Sequence, residues 1–290
     1  VENVFENVRF TKMHGAGNDY IYIDATSEIP QDLSGLARAI SDYHFGIGSD
    51  GLVAIMKSDV ADFRMRMFNA DGSEAEMCGN ATRCIGKYVY ERKLTDKTEF
   101  TLETLAGIKI LHLHVADGIV KSVTVDMGVP ELRPELVPVL SRNPELKLAE
   151  EEMVAGKKYV ITGVSMGNPH AVIFTDAITD EQVLVEGPKL EVADIFPKKA
   201  NIEFAKIIDR NNIEMRVWER GTGETFACGT GACATAVAAV LNSLTDREVT
   251  IHLRGGDLHI LWDEKTGHVM MTGPATFVCD GTYYRQRAAE

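Results

Sequence analysis

One stretch of sequence occurs twice in this chain, 150 residues apart, each time around a cysteine. Arg66-Met67-Phe68-Asn69 leads through Gly72 and Glu74 to Met77-Cys78-Gly79-Asn80, and Arg216-Val217-Trp218-Glu219 leads through Gly221 and Glu224 to Ala227-Cys228-Gly229-Thr230. The offset superposes Arg216 on Arg66, Glu224 on Glu74, Cys228 on Cys78 and Gly229 on Gly79 without a gap. Asn18 and Asn168 keep the same register, each in a glycine-bearing turn (His14-Gly15-Ala16-Gly17-Asn18 and Met166-Gly167-Asn168-Pro169-His170). Two copies of one unit predict two domains related by pseudo-symmetry. Each copy offers a thiol just ahead of a helix, so the two thiols are expected to face each other across a cleft.

At 290 residues the chain is long enough for two ordinary domains. Its formal charge of −13 disfavours a nucleic-acid backbone, which is bound by clustered Lys and Arg, and an anionic membrane surface. No apolar run approaches the ~18 residues of a membrane span. The start, Val1-Glu2-Asn3-Val4, has neither the basic nor the apolar region of a secretory signal. Five cysteines (Cys78, Cys84, Cys228, Cys233, Cys279), an odd number in a long chain, argue against a disulfide scaffold. The expected setting is the reducing cytoplasm, with no nucleic-acid or membrane partner. A homodimer is left open.

The first unit is expected over residues 1–127, joined by the C-terminal tail, 275–290. Strands are predicted at Val8–Met13, Tyr20–Asp24, Leu52–Met56, Phe63–Phe68, Glu99–Glu103, Ile108–Val115 and Val120–Asp126. One helix is predicted from Ser34, as N-cap, through Tyr43, and another from Asn80 to Lys93. The second unit, 128–274, begins with a connector over 128–157 that holds Pro130, Pro134, Pro138, Pro144 and the acidic run Glu150-Glu151-Glu152. Strands are predicted at Tyr159–Ser165, Ala171–Phe174, Ile202–Asp209, Ile213–Trp218, Glu248–Leu253, Leu258–Asp263 and His268–Thr272, with a helix over Thr230–Leu244. Ala232, Cys233, Ala234, Ala236, Val237, Ala238, Ala239, Val240 and Leu241 leave that helix no polar face, so it is expected inside a curved sheet.

A thiol at a helix N-terminus meets the positive end of the dipole and unpaired N–H groups, which lower its pKa below the free value of about 8.5. The glycine after each cysteine lets an anion, such as a substrate carboxylate, approach those N–H groups. An amino-acid α-proton is far less acidic than a thiol. A mismatch of about a dozen pK units corresponds to roughly 16 kcal/mol, whereas a helix dipole shifts a charge by at most ~2 kcal/mol. The larger contribution must be stabilisation of charge spreading onto the carboxylate, by the amides of Gly79, Asn80, Gly229 and Thr230. Inversion further needs an acid on the opposite face of the α-carbon, and one thiolate with one thiol supplies both. No pyridoxal phosphate or other cofactor is then required. The spacings Cys78 to Cys84 and Cys228 to Cys233 do not match paired zinc ligands, and no metal is expected. Cys84, Cys233 and Cys279 read as small buried apolar residues, and His112 and His114 as edge or surface histidines.

Phe68-Asn69-Ala70-Asp71-Gly72-Ser73-Glu74 with Met77-Cys78-Gly79-Asn80 resembles the first signature of the diaminopimelate epimerases. Glu219-Arg220-Gly221-Thr222-Gly223-Glu224-Thr225 with Ala227-Cys228-Gly229-Thr230-Gly231-Ala232-Cys233 resembles the second. His14–Asp19, Met166–His170 and Thr272-Gly273-Pro274-Ala275 fit the same family, so the likeness spans nearly the whole chain. It implies an α/β protein of the α+β type, with two pseudo-symmetric domains. Each would be a curled, mostly antiparallel sheet around a central helix, with the active site in the cleft between them. It implies a cofactor-independent isomerase interconverting LL- and meso-2,6-diaminopimelate, in lysine and cell-wall precursor biosynthesis. Cys78 and Cys228 would be base and acid, with His170 and Glu219 supporting their protonation. Asn18, Asn69, Asn168, Asn201, Glu219 and Arg220 would bind substrate, with the amides of Gly79, Asn80, Gly229 and Thr230. Where some members carry Gln after Gly-x-Asp, this chain has Gly51, so a side-chain contact there is lost; its repeat partner is Asn201.

Arg220 suits a distal carboxylate, held bidentately, and Glu219 a distal ammonium. Two alternatives stay open at this level. A proline or hydroxyproline epimerase uses the same two-thiol chemistry but shows Ser-Pro-Cys-Gly-Thr, where this chain has Glu224-Thr225-Phe226-Ala227 before Cys228. A non-catalytic amino-acid-binding relative is the other.

Overall fold

The computed structural model describes residues 5–140, 150–154 and 156–286. The chain divides into two compact units: one runs to Val125 and resumes at Pro274, the other runs from Asp126 to Gly273. No helix among the described residues is long and apolar enough to cross a membrane.

In the first unit, β1 (Phe5–Gly15), β2 (Asn18–Asp24), β3 (Gly51–Met56), β4 (Phe63–Asn69), the short β5 (Glu74–Ala75), β6 (Glu99–Thr104), β7 (Gly107–Ala116) and β8 (Ile119–Asp126) make a mixed sheet. β2/β3 and β4/β6 pair parallel, while β1/β2, β3/β4, β6/β7 and β7/β8 pair antiparallel. The last strand of the chain (Thr276–Gln286) returns to pair antiparallel with β1. Helix α1 (Leu33–Ser41) puts Leu33, Leu36, Ala37 and Ile40 onto one face of β1–β3. Its N-cap is Asp32, not Ser34: the Asp32 carboxylate accepts from Gly35 N at 2.9 Å, while the Ser34 hydroxyl donates to Gly72 O. Helix α2 (Gly79–Glu91) packs against β1, β2 and β7, and every residue from Gly79 to Val89 is buried. Burial of two cations there is offset by specific partners: Lys87 meets Glu91 and Val120 O, and Arg83 donates to Asn80 Oδ1 at 2.8 Å and to Pro274 O.

The second unit repeats this plan. β9 (Glu150–Val154) pairs with β10 (Lys157–Ser165), so the acidic run lies in a strand rather than a free connector, whose residues 141–149 and 155 fall outside the described ones. β11 (Pro169–Phe174), β12 (Asn201–Asp209), β13 (Asn212–Glu219), the short β14 (Gly223–Glu224), β15 (Glu248–Leu253), β16 (Gly256–Trp262) and β17 (Val269–Gly273) follow. β11/β12 and β13/β15 are the parallel pairs, matching β2/β3 and β4/β6. A π-helical turn (Glu181–Glu186) runs into a short helix, α3 (Gly187–Glu191), at the place of α1 in the repeat; no sequence signal had marked it. Val183 and Leu190 of this segment join the core with Ile173, Ile202 and Phe204.

Helix α4 (Gly229–Leu241) starts 150 residues after α2 and touches β10, β11, β12, β15, β16 and β17. Contact with strands at both ends of the sheet requires the sheet to curl around it. From Gly229 to Ala239 only Thr230 escapes burial, as a helix apolar on all sides requires. The recurring Arg and Glu are structural. Arg66 grips Glu74 with two bonds of 2.7 and 2.9 Å across β4 and β5, and Arg216 holds Glu224 at 2.8 Å across β13 and β14. Glu224 is shared with Arg254 at 2.9 Å. Each pair pins the turn that leads into its cysteine.

Candidate active site

Both cysteines are N-cap residues. Cys78 precedes α2 and Cys228 precedes α4, each in extended backbone, and their carbonyls accept the first helical bonds from Thr82 N and Ala232 N, both at 2.9 Å. The thiols therefore sit where the N–H groups of a helix's first turn lack intrahelical acceptors.

In the first unit the Cys78 thiol donates to Asn18 Oδ1 at 3.3 Å, and Asn80 Nδ2 approaches the same oxygen at 3.4 Å. Asn18 Nδ2 donates to Asp50 Oδ2 at 2.7 Å, which fixes the amide with its oxygen toward sulfur. Asn69, at the end of β4, donates to Ser73 Oγ at 3.0 Å. It pairs in register with Gly51, where a Cβ would clash with Phe68 O and fall 2.9 Å from the Tyr20 ring. Packing thus leaves no room for a side chain at position 51.

In the second unit Cys228 Sγ accepts from Gly231 N at 3.3 Å and lies 3.5 Å from Thr230 Oγ1. Asn168 Nδ2 donates to Thr230 Oγ1 at 3.3 Å, and Asn168 Oδ1 faces His170 Nε2 at 3.0 Å. His170 is fully buried and its other nitrogen meets Glu203 Oε1 at 2.6 Å. A hydrogen-bonded path thus runs from His170 to the sulfur through Asn168 and Thr230. Glu203, equally buried, was missed from sequence; its signal was a lone acid in the otherwise apolar run Ile202–Ala205. Its carboxylate lies beneath the first turn of α4, where a Cβ on Gly231 would come within 2.8 Å of Oε1. Glu219 accepts from the Thr225 hydroxyl and from Cys228.

Asn201 is not free to reach outward. It is 3% exposed, donates to Pro169 O at 2.9 Å and accepts Arg220 N at 2.9 Å, so it holds the turn that bears Arg220. Arg220 itself is exposed, with one contact from its guanidinium to Lys198 O at 3.1 Å. Among the other cysteines, Cys84 and Cys233 are buried as expected, but Cys279 is exposed, in the last strand. No cluster of three or more His, Cys, Asp or Glu among the described residues could hold a metal ion.

The electrostatics of Cys228 reverse one expectation. Burial, then the carboxylates of Glu219 and Glu203, push its thiol well above the ordinary value, and the bonds from Thr230 and Gly231 only partly offset this. Desolvation can move a buried group by 3–5 pK units, more than a helix terminus returns. Cys228 therefore rests as the thiol. Burial likewise raises Glu219 and pushes Cys84 up to about 11. Stability follows from these shifts. Below the ordinary thiol pKa of about 8.5 both states hold these protons, whereas above it the unfolded chain loses protons that folded Cys84 and Cys228 retain. The unfolding free energy from urea titrations is expected to fall as pH rises from about 8.5, and less steeply in Cys84→Ala. A flat profile to pH 10 in the unaltered protein would contradict the burial of these thiols.

The sequence profile of the family described as diaminopimelate epimerase matches residues 10–133 and 162–278. The diaminopimelate epimerase of Acetivibrio thermocellus is 56% identical over 274 residues, covering 94% of this chain and 98% of the relative. That of Phocaeicola vulgatus is 57% identical over 275 residues, covering 94% and 97%. Among solved structures, a PhzF-family phenazine biosynthesis protein of Bacillus anthracis superposes with a TM-score of 0.68 at 18% identity, covering 96% of this chain and 99% of that one. A hydroxyproline epimerase of Agrobacterium vitis gives 0.66 at 15% identity, covering 97% and 92%. These two share the fold. With more than half the residues identical along almost the full length of the relatives, and a cysteine capping each of two equivalent helices, the chain belongs to the diaminopimelate epimerase family.

Proposed function

We propose that the protein interconverts LL- and meso-2,6-diaminopimelate, a step in the synthesis of lysine and of cell-wall precursors, by removing the α-proton at one sulfur atom and delivering a different proton from a second. Cys78 and Cys228 address opposite faces of the α-carbon, one taking the proton as thiolate while the other delivers one as thiol. The observation that carries this reading is the capping of α2 and α4 by the two cysteines, each with an asparagine of the repeat in its hydrogen-bonded surroundings. The substrate α-carboxylate lies on the first-turn amides of Gly79, Asn80, Gly229 and Thr230, which stabilise charge as it spreads from the α-carbon. Cys228 enters as the thiol because burial and two neighbouring carboxylates favour its neutral form. Glu219, half-buried and bonded to Cys228, is the group placed to exchange a proton with it. His170 acts one step further out, orienting Asn168 and Thr230.

The distal end of the substrate is an amino acid in its own right, and Arg220 takes its carboxylate while Glu219 accepts from its ammonium. Asn201 contributes by fixing the Arg220 backbone. Asn18 and Asn69 are further contacts to the substrate. The test is turnover of LL-diaminopimelate beside L-proline and trans-4-hydroxyproline, with products resolved by chiral chromatography. Epimerisation of diaminopimelate alone is expected. Comparable kcat/KM on either imino acid would move the protein to that class, and binding without any turnover would make it a receptor.

A further inference from the structure

The turn that bears Arg220 is tied down at three successive amides. Asn201 Oδ1 takes Arg220 N at 2.9 Å, Glu191 Oε1 takes Gly221 N at 3.1 Å, and Glu219 O takes Thr222 N at 3.2 Å. The other carboxylate oxygen of Glu191 accepts the Trp218 indole N–H at 2.9 Å. A single buried carboxylate therefore links the end of β13 to the turn that follows it. Trp218 is held on two sides: a Cβ on Gly187 would lie 2.9 Å from its Cβ, and one on Gly223 would lie 3.5 Å from its ring. Gly221 adopts φ +78°, a conformation that suits glycine. Glu191 is anchored in turn, since its carbonyl accepts Ala200 N at 3.2 Å and Lys199 Nζ stands 3.8 Å from Oε1.

The first unit lacks this device. The residue 150 positions before Glu191 is Ser41, whose hydroxyl contacts Ser49 Oγ at 3.1 Å, and the residue at the place of Arg220 is Ala70. The Thr222 tie recurs as Gly72 N to Asn69 O at 2.9 Å, while Ala70 N is held by a backbone carbonyl, Asp50 O at 3.0 Å, in place of a side chain. The half that presents a guanidinium is thus the half in which a carboxylate locks the turn beneath it. A long side chain holds a carboxylate through two parallel bonds more tightly when its backbone is fixed, because an error of about 1 Å at the base is carried to the tip.

We propose that Glu191 is a positioning residue for substrate specificity: by joining Trp218 Nε1 to Gly221 N, it holds the Arg220 turn in the conformation that receives the distal carboxylate of the substrate. This rests on Arg220 binding that carboxylate, as put forward above. Glu191 bonds to Trp218 and Gly221 and not to Cys228, so its loss is expected to weaken binding of the two-ended substrate more than it disturbs the thiols.

The test compares Glu191→Gln and Glu191→Ala with the parent protein in kcat, KM and the pH dependence of Cys228 alkylation by iodoacetamide. Gln keeps the shape but turns an N–H donor toward a donor, so it should disturb the turn without emptying the site. In both variants KM for diaminopimelate is expected to rise about 10-fold or more, with kcat within about 3-fold and the alkylation profile unchanged. An unchanged KM, or a kcat that falls together with a shifted profile, overturns the proposal. Backbone deuterium exchange over Trp218–Glu224 reads the tether without substrate: faster exchange in both variants is expected, and an unchanged rate overturns it. If the parent protein fails to turn over diaminopimelate, the functional reading falls, and the exchange measurement alone decides whether Glu191 holds the turn.

Discussion

Cys78→Ala and Cys228→Ala are each expected to lose epimerisation by on the order of 10⁴-fold, with the fold and urea midpoint nearly retained. A positioned acid or base contributes roughly 10²–10⁴-fold, and in a two-base inversion neither partner can cover for the other. Whichever sulfur is removed, the carbanion can still be reached from one face but cannot be protonated on the other. Each single-thiol variant should therefore at most exchange the α-proton of one epimer without inverting it. Alanine is compatible with the N-cap backbone in both places, because extended φ and ψ are open to it. Cys228 loses a weak cap bond from Gly231 and its bonds to Glu219 and Thr230, and Cys78 loses its bond to Asn18. Turnover near the parent level by either variant would refute the assignment of the two sulfurs.

Arg220→Met should reduce kcat/KM for diaminopimelate by about 2–5 kcal/mol of binding, or roughly 30- to several-thousand-fold, mostly through KM. The methionine keeps the bulk of the stem but offers no donor to the distal carboxylate. Arg220→Lys is expected to recover little, since a point charge does not reproduce two parallel N–H bonds. Arg220 is exposed and, among the described residues, its guanidinium bonds to Lys198 O alone, so thermal stability should hardly change. Steady-state kinetics of the two variants check this. An unaltered KM would remove Arg220 from the site and, with it, the basis for preferring a substrate with two amino-acid ends.

The repeat made most of this legible from sequence. It located both helix starts to within one residue, because glycine after each cysteine and the apolar run behind it leave few alternatives for where the helix begins. It also paired Asn18 with Asn168, which the structure finds within hydrogen-bonding networks around the equivalent cysteines. What escaped were features without periodicity. The π-helical turn and α3 lie in a stretch whose apolar positions follow neither a clean 3.6 nor a clean 2.0 spacing. Glu203 stands in a strand buried on both faces, where alternation gives no warning of a charge. The ordinary N-cap rule chose Ser34 over Asp32 because both residue types cap well. Asn201, read as a substrate contact, spends both ends of its amide on Pro169 and Arg220. Cys228 shows the limit of local reasoning on charge. The helix start favours thiolate, but burial and two acids distant in sequence outweigh it.

Two sulfur atoms acting from opposite faces, one removing the α-proton of diaminopimelate and the other delivering a different proton, leave an isotopic signature. LL-diaminopimelate run with the parent protein in deuterium oxide and sampled at low conversion by mass spectrometry reads that signature. The two-sulfur mechanism gives meso product carrying one solvent deuteron at the inverted carbon, while recovered substrate remains unlabelled. Product that keeps its original proton, or substrate and product labelled equally from the first turnovers, would contradict it.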